Sequence, residues 1–379
     1  MRKNKQKKSL HSIIMIAMLS LFVIACGGGG GGSDGDGGEL GTLGNPFLVD
    51  SIEALQNIGS NEETLSAHYK QVADIDLNGV ASWTPIGDDS NPFTGTYDGN
   101  NKKILELKIN APTGDFQGLF GYISGDGITT GIVKNLGFEK VKISGHYSVG
   151  GVVGYNVGTI SNCYITGDVT GDRYISGVVG RNFGAVSNCY TTADVIGNNY
   201  ISGVVGENRG TVENCYAMGN VSGVYCLGGV VGATYGGTVS NCYATGEVTG
   251  TGDFVGGVVG GNSGTVENCV ALGCKVTLMG FSSYIGRVIG IVEYLGASDN
   301  NYARSDMGGS TSLFTTATKT HDGKDGADLA ASNYYDPSWW TETAGWSFDE
   351  SDVWNAPIGT TLPTLKNMPG DRTQNPTVP

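Results

Sequence analysis

The tetrapeptide Gly-Val-Val-Gly recurs at residues 151–154, 177–180, 203–206, 229–232 and 257–260, and Arg287-Val288-Ile289-Gly290 follows as a variant. Successive starts are 26, 26, 26, 28 and 30 residues apart, and a divergent copy opens with Gly118-Leu119-Phe120-Gly121. The order inside each unit is fixed. An Asn-x-Gly corner follows at Asn156, Asn182, Asn208 and Asn262, with Thr234 in place of Asn once. A short Val/Ile segment then leads into Asn-Cys, and another valine recurs at Val169, Val195, Val221 and Val248. Asn and Gly accept left-handed backbone at corners, and valine is stiff and suits strands. No helical period is present, and this much glycine weakens a helix. A unit this short cannot bury a core alone and must stack on its neighbours. Propeller blades need about 40 residues or more, so the rival repeat fold does not fit. The prediction is an all-β chain: a right-handed parallel β-solenoid, one coil per repeat, with coils about 4.8 Å apart and caps at both ends.

Stacking places Cys163, Cys189, Cys215, Cys242 and Cys269 one above another. They read as a structural ladder of buried thiols acting as small hydrophobes. Disulfides between neighbours and a metal site are the alternatives. No CxxC or His partner accompanies the five cysteines, and Cys226 and Cys274 lie off the ladder. Tyr164, Tyr190, Tyr216 and Tyr243 follow the cysteines and are expected on the opposite, outer side. Such a column could bind sugar rings or a partner protein, or could cover the flank of a strand. Asp168, Asp194 and Glu247 form a carboxylate series, interrupted by Asn220, that reads as a solvated acidic edge. Calcium is the one cofactor it suggests.

Arg2, Lys3, Lys5, Lys7 and Lys8 precede an apolar run, Ile13 to Ile24, and Val23-Ile24-Ala25-Cys26 closes it. This is a secretory signal by its charge, length and small-residue exit. It resembles a bacterial lipoprotein signal. The resemblance implies cleavage before Cys26, lipid on that residue, and, with Gly27 following, sorting to an outer membrane. Removing residues 1–25 takes away five basic residues and no acid, so the formal charge moves from −14 to −19. That argues against a nucleic-acid partner. Residues 26–44 read as a Gly-rich tether. The expected divisions are a signal over 1–25, the tether, an N-terminal cap with first coils over 45–117, repeats over 118–290, last coils and a C-terminal cap over 291–367, and a disordered tail over 368–379. Ser51 to Ile58 is expected to form one short helix with Ser51 as N-cap.

The repeats resemble the GLUG motif of bacterial cell-surface proteins, and Gly118-Leu119-Phe120-Gly121 matches its form best. Upstream, Asp74-Ile75-Asp76-Leu77, Trp83-Thr84-Pro85-Ile86-Gly87 and Phe93-Thr94-Gly95-Thr96-Tyr97-Asp98-Gly99 resemble the segment that precedes such repeats. Asn101 and Lys102 depart from the more usual Gly-His. Downstream, Trp354-Asn355 and Pro363-Thr364-Leu365 resemble the common ending. The resemblance implies surface display or adhesion. Some immunoglobulin A peptidases carry such repeats beside a zinc domain, but the His-Glu-x-x-His that chemistry needs is absent here. His68, His146 and His321 are isolated, and "HDGKDG" (321–326) reads as a loop rather than an EF-hand.

The expectation is a lipid-anchored, non-catalytic scaffold on the bacterial outer membrane. Its partners would be the membrane, through the lipid, and a glycan or a host or matrix protein. An enzyme acting on extracellular or envelope polysaccharides is the alternative, and a passive spacer is the third reading.

Overall fold

The computed structural model describes residues 39–125, 130–280, 284–314, 316–369 and 374–379. The signal segment, Cys26 and tether residues 27–38 lie outside the described residues.

The described residues from Phe47 to Leu329 wind as a parallel β-solenoid. One column of paired residues passes through Phe47, Tyr69, Tyr97, Val133, Ile160, Val186, Val212, Val239, Val266 and Ser298, each parallel to the next. The coil therefore repeats over about nine turns. Every repeat supplies strands to two sheets. A six-stranded sheet holds Tyr147–Val149, Arg173–Ser176, Asn199–Ser202, Tyr225–Gly228, Val255–Gly256 and Ile285–Gly286. A larger sheet holds the Gly-Val-Val-Gly strands and the rest of each turn. Among the described strands, one pair is antiparallel, Trp354–Asn355 with Thr364–Leu365.

The motif's valines fill the interior. Val152, Val178, Val204, Val230, Val258 and Val288 are all fully buried, as are the five ladder cysteines. The motif's first glycine is required by close approach. A Cβ on Gly177 would lie 2.5 Å from the Gly203 carbonyl oxygen, and one on Gly203 would lie 2.5 Å from that of Gly229. Its last glycine admits the neighbouring sheet: a Cβ on Gly180 would lie 2.6 Å from the Ser148 carbonyl carbon.

Each Asn-Cys asparagine sits at a corner in left-handed backbone, with φ between 52° and 54° from Asn162 through Asn268, and Asn135, before Leu136, does the same at 56°. Asparagine tolerates this conformation. The cysteine that follows then turns inward and the tyrosine after it turns outward.

The ends close differently. At the start, helix Ile52–Gln56 is capped by Ser51, whose Oγ accepts from the Ala54 amide at 3.3 Å. A second helix, Glu62–Ser66, is capped by Asn61 and was not legible in the sequence. Leu55 and Leu65 are buried beneath them.

At the far end the repeat's glycine becomes Arg287. The rung above it is the short segment 324–329, and the Arg287 side chain enters beside it. Arg287 is 1% exposed and its Nη groups donate to the carbonyls of Arg304 (3.1 Å) and Gly326 (2.8 Å) and to Asp328 (2.5 Å). Asp325, from the 321–326 loop, is buried and accepts from the Arg287 amide at 3.0 Å. The loop thus plugs the coil.

Residues 331–379 do not continue the coil. They lie along its flank, where Trp354 Nε1 donates to Asn214 and Trp346 Nε1 to the Asn268 carbonyl. The tail expected to be disordered is held there too. Gln374 accepts from Tyr216 Oη at 2.8 Å and bonds Leu365 in both directions, and the Pro379 carbonyl accepts from Arg304. The chain's polar groups at this end complete hydrogen bonds that coil residues offer.

Candidate functional site

The ladder cysteines stand in register, because the tyrosines beside them pair Tyr164 to Tyr190, Tyr190 to Tyr216 and Tyr216 to Tyr243. Each Sγ donates to the carbonyl two residues back in its own strand, at 3.0–3.3 Å. Burial pushes the thiols of Cys163, Cys215 and Cys242 well up. The seven described cysteines are unpaired, and no trio of His, Cys, Asp or Glu among the described residues is placed to hold a metal. The column is core.

The tyrosine column is stacked but it is not an outer binding face. Ring centroids lie 5.2, 4.8 and 4.9 Å apart, with planes within 10°. All four tyrosines are 0–1% exposed. Trp340, Trp346 and Trp354 cover Tyr243 at 6.0–6.2 Å, and Tyr243 Oη donates to the Pro363 carbonyl at 2.7 Å. The correction has a physical cause. Four stacked rings make a large apolar stripe, and the tryptophan-rich segment that follows the coil buries it as a second core.

The carboxylate series serves the backbone. Asp168 and Asp194 are in register. Asp194 accepts from the Asn220 amide at 2.7 Å, Asn220 Oδ1 accepts from the Glu247 amide at 3.0 Å, and Glu247 accepts from Cys274 Sγ at 3.1 Å. Asp74 and Asp76 likewise accept from the amides of Lys103 and Asn78.

A different face gathers the chemistry. Between Lys142 and Lys275 the chain's only Lys or Arg residues are Arg173, Arg181 and Arg209. They occupy different positions of the repeat, yet the coil brings all three to one side. The column two residues after the motif's second valine runs Tyr122, Tyr155, Arg181, Glu207, Ala233, Gly261, Ile291, all in parallel register.

Glu207 is 2% exposed and joins two guanidiniums. Arg181 Nε donates to its Oε2 at 2.8 Å and Arg209 Nε to its Oε1 at 2.7 Å. Each arginine meets the carboxylate through Nε, and the side chains of Arg181 and Arg209 are 25% and 46% exposed.

Aromatic rings surround the clamp. The Arg181 guanidinium lies 4.6 Å from the Tyr174 ring centre, 5.3 Å from Tyr155 and 5.4 Å from Phe183. Arg209 lies 5.5 Å from Phe183 and 5.4 Å from Tyr235. Arg173 rests over Tyr174 and Tyr200 at 4.9 and 5.0 Å.

Tyr174 and Tyr200 sit at φ 61°, and Cys226 and Phe254 continue that left-handed column at 56° and 66°. Bulky residues rarely adopt this conformation, which costs of order 1–3 kcal/mol each and gathers at functional positions. Here it aims the rings at the arginines. Past Glu207 the column continues through Ala233 and Gly261, both buried, to Ile291, which lines a recess of ≈730 Å³ together with Tyr284, Val292, Asp322 and Lys324. Six coil steps make this column roughly 29 Å long.

Sequence reasoning missed this face. The signals were the 26-residue spacing of Tyr174 and Tyr200 and the isolation of three arginines in a basic-poor stretch.

The GLUG motif matches residues 145–170 and 223–249. Halomucin of Haloquadratum walsbyi is 34% identical over 142 residues, covering 34% of this chain and 2% of halomucin. A protein of Evansella cellulosilytica, provisionally named a Gly-rich membrane protein, is 35% identical over 129 residues, covering 32% of this chain and 14% of that protein. The chain thus spans a small part of the curated relatives it matches. A crystal structure of a provisionally assigned immunoglobulin A1 protease from Bacteroides ovatus superposes with a TM-score of 0.56 at 22% identity, covering 86% of this chain and 94% of that one. That likeness concerns the fold. The chain carries the GLUG repeat, and nine or so turns of it and its flanking segments make one parallel β-solenoid.

Proposed function

We propose that the protein is a non-catalytic binding scaffold of the bacterial envelope, anchored by lipid at Cys26 and engaging a surface ligand through the arginine–aromatic face. The observation that carries the reading is selective exposure. The tyrosine column on one flank is covered by the chain itself, whereas Tyr155, Phe183, Tyr174 and Tyr235 remain half-exposed around two ordered guanidiniums. An uncovered aromatic and arginine patch is characteristic of recognition surfaces. One relative's name as a membrane protein agrees with an envelope location. No helix among the described residues is long and apolar enough to cross a membrane.

Two measurements test this. Metabolic labelling with a fatty acid should tag the wild-type chain and not Cys26→Ala, which should leave the membrane fraction; an unlabelled wild type contradicts the anchor. A glycan and matrix-protein array with residues 39–379 should give signals that Tyr155→Ala/Tyr235→Ala loses with little change in melting temperature. Equal binding by that variant contradicts the assigned face.

A further inference from the structure

We infer that the Arg181–Glu207–Arg209 clamp is a subsite for the carboxylate of a uronic-acid polysaccharide lying along the arginine–aromatic face. The inference rests on the binding reading above and names its ligand. Three features lead to it.

The first is preorganisation. A carboxylate buried to 2% exposure fixes both part-exposed guanidiniums through Nε, so they are held before any ligand arrives. Guanidiniums match a planar carboxylate with paired N–H donors, and ordering them in advance removes much of the entropic cost of binding. Glu207 neutralises one of the two charges, and Arg173 restores a second nearby. The surface is therefore locally cationic on a chain whose formal charge is −14. That contrast is a selective attraction for an anion rather than a general one.

The second is the company the clamp keeps. Tyr235 Oη donates to Tyr200 Oη at 3.1 Å, giving a hydroxyl pair beside the arginines. Hydroxyls, guanidiniums and ring edges together suit a ligand with many hydroxyls and a carboxylate. The rings of Tyr122, Tyr155 and Phe183 are stacked on one another, 4.4 and 5.0 Å apart at 16°. Their faces are occupied, so they offer edges and a wall rather than a platform. This makes the arginines, not sugar-on-ring stacking, the main source of affinity.

The third concerns the alternative ligand, an acidic peptide. Extended peptides commonly bind by adding a strand to a free edge. Here the main chain is engaged by coils on both sides: Arg181 pairs with Tyr155 below and Glu207 above. A peptide would find side chains only. The part-exposed rings and guanidiniums from Tyr122 through Arg181 to Tyr235 span several coils, a length that suits a polymer longer than one residue.

The test is calorimetric titration of residues 39–379 with polygalacturonate and alginate, fully methyl-esterified polygalacturonate, and poly-L-glutamate. Removing both arginines would leave Glu207 bare and buried, so the decisive variant is Arg181→Gln/Glu207→Gln/Arg209→Gln, which shortens the arginines by two heavy atoms each and leaves no buried charge. Wild type should bind at least one uronate polymer, with affinity falling as salt is added. The triple variant should bind it about tenfold more weakly or worse, with its melting temperature within a few degrees of wild type. The ester and poly-L-glutamate should also be about tenfold weaker.

Wild type binding neither uronate polymer, or the triple variant binding as well as wild type, overturns the assignment. So does poly-L-glutamate binding as tightly as the uronates. Binding of the ester alone overturns the carboxylate subsite while leaving the surface-binding reading intact. Failure of every array ligand would remove that reading too.

Discussion

Buried asparagines carry much of the coil's specificity. Asn156 Nδ2 donates to Asn182 Oδ1 at 2.8 Å, and Asn182 Nδ2 to Asn208 Oδ1 at 2.9 Å. Each Oδ1 also accepts from the glycine amide two residues on. Every member is fully buried, so losing one leaves its neighbours short of a partner. Asn182→Ala should therefore cost about 1–3 kcal/mol, read as a lower urea midpoint. The ladder's weak link is Asn208 to Thr234, at 3.4 Å. Thr234→Asn should raise the midpoint by an amount equivalent to at most about 1 kcal/mol. An unchanged midpoint in Asn182→Ala would contradict the ladder's role.

The thiols make a pH prediction. Burial holds Cys163, Cys215 and Cys242 above their unfolded values, so the folded state keeps those protons more tightly. Their contribution to stability is intact below about pH 8.5 and falls as pH rises beyond it. Since the thiolate is the reactive form, mass-mapped alkylation at pH 8 should label half-buried Cys274 first. The five ladder cysteines should label only on unfolding. Rapid native labelling of Cys215 would contradict its place in the core.

At the scale of strands and segments, tolerance depends on what lies above each residue. Gly203→Ala forces a methyl into the Gly229 carbonyl of the next coil. It should destabilise strongly or prevent folding, whereas Gly79→Ala, with open space around it, should be nearly silent by circular dichroism melts. Tyr216→Ala removes a ring packed between Tyr190, Tyr243 and Trp354. It should cost about 3–5 kcal/mol and leave ligand binding at the arginine face unchanged at temperatures where it remains folded. A loss of binding without loss of stability would restore the tyrosines as a contact surface.

The repeat was legible because Gly, Val, Asn and Cys recur at fixed spacing and each has a local reason to be there. The strand phase at the Asn-Cys step was not legible, because Asn162 could itself be a turn; it sits in left-handed backbone at φ 52°. Nor was the cover over Tyr216 and Tyr243. It depends on contacts 158 and 120 residues away in the chain, from a segment with no period of its own. The arginine face escaped for a related reason. Arg173, Arg181 and Arg209 hold different positions in the unit and converge only once the coils stack, with Glu207 paired beside Arg181 and bonded to Arg209.

Across the whole molecule, two devices turn an open stack of strands into a finite one. Helices and short strands begin it, and Arg287 with the 321–326 loop ends it. Exposed strand edges otherwise invite further pairing. Everything above requires that consecutive repeats lie in register along one axis. Sulfur anomalous diffraction from crystals of residues 39–379 tests that directly. The account predicts five peaks for Cys163, Cys189, Cys215, Cys242 and Cys269 in a single row, spaced about 4.8 Å apart. Peaks scattered away from a common line would contradict it.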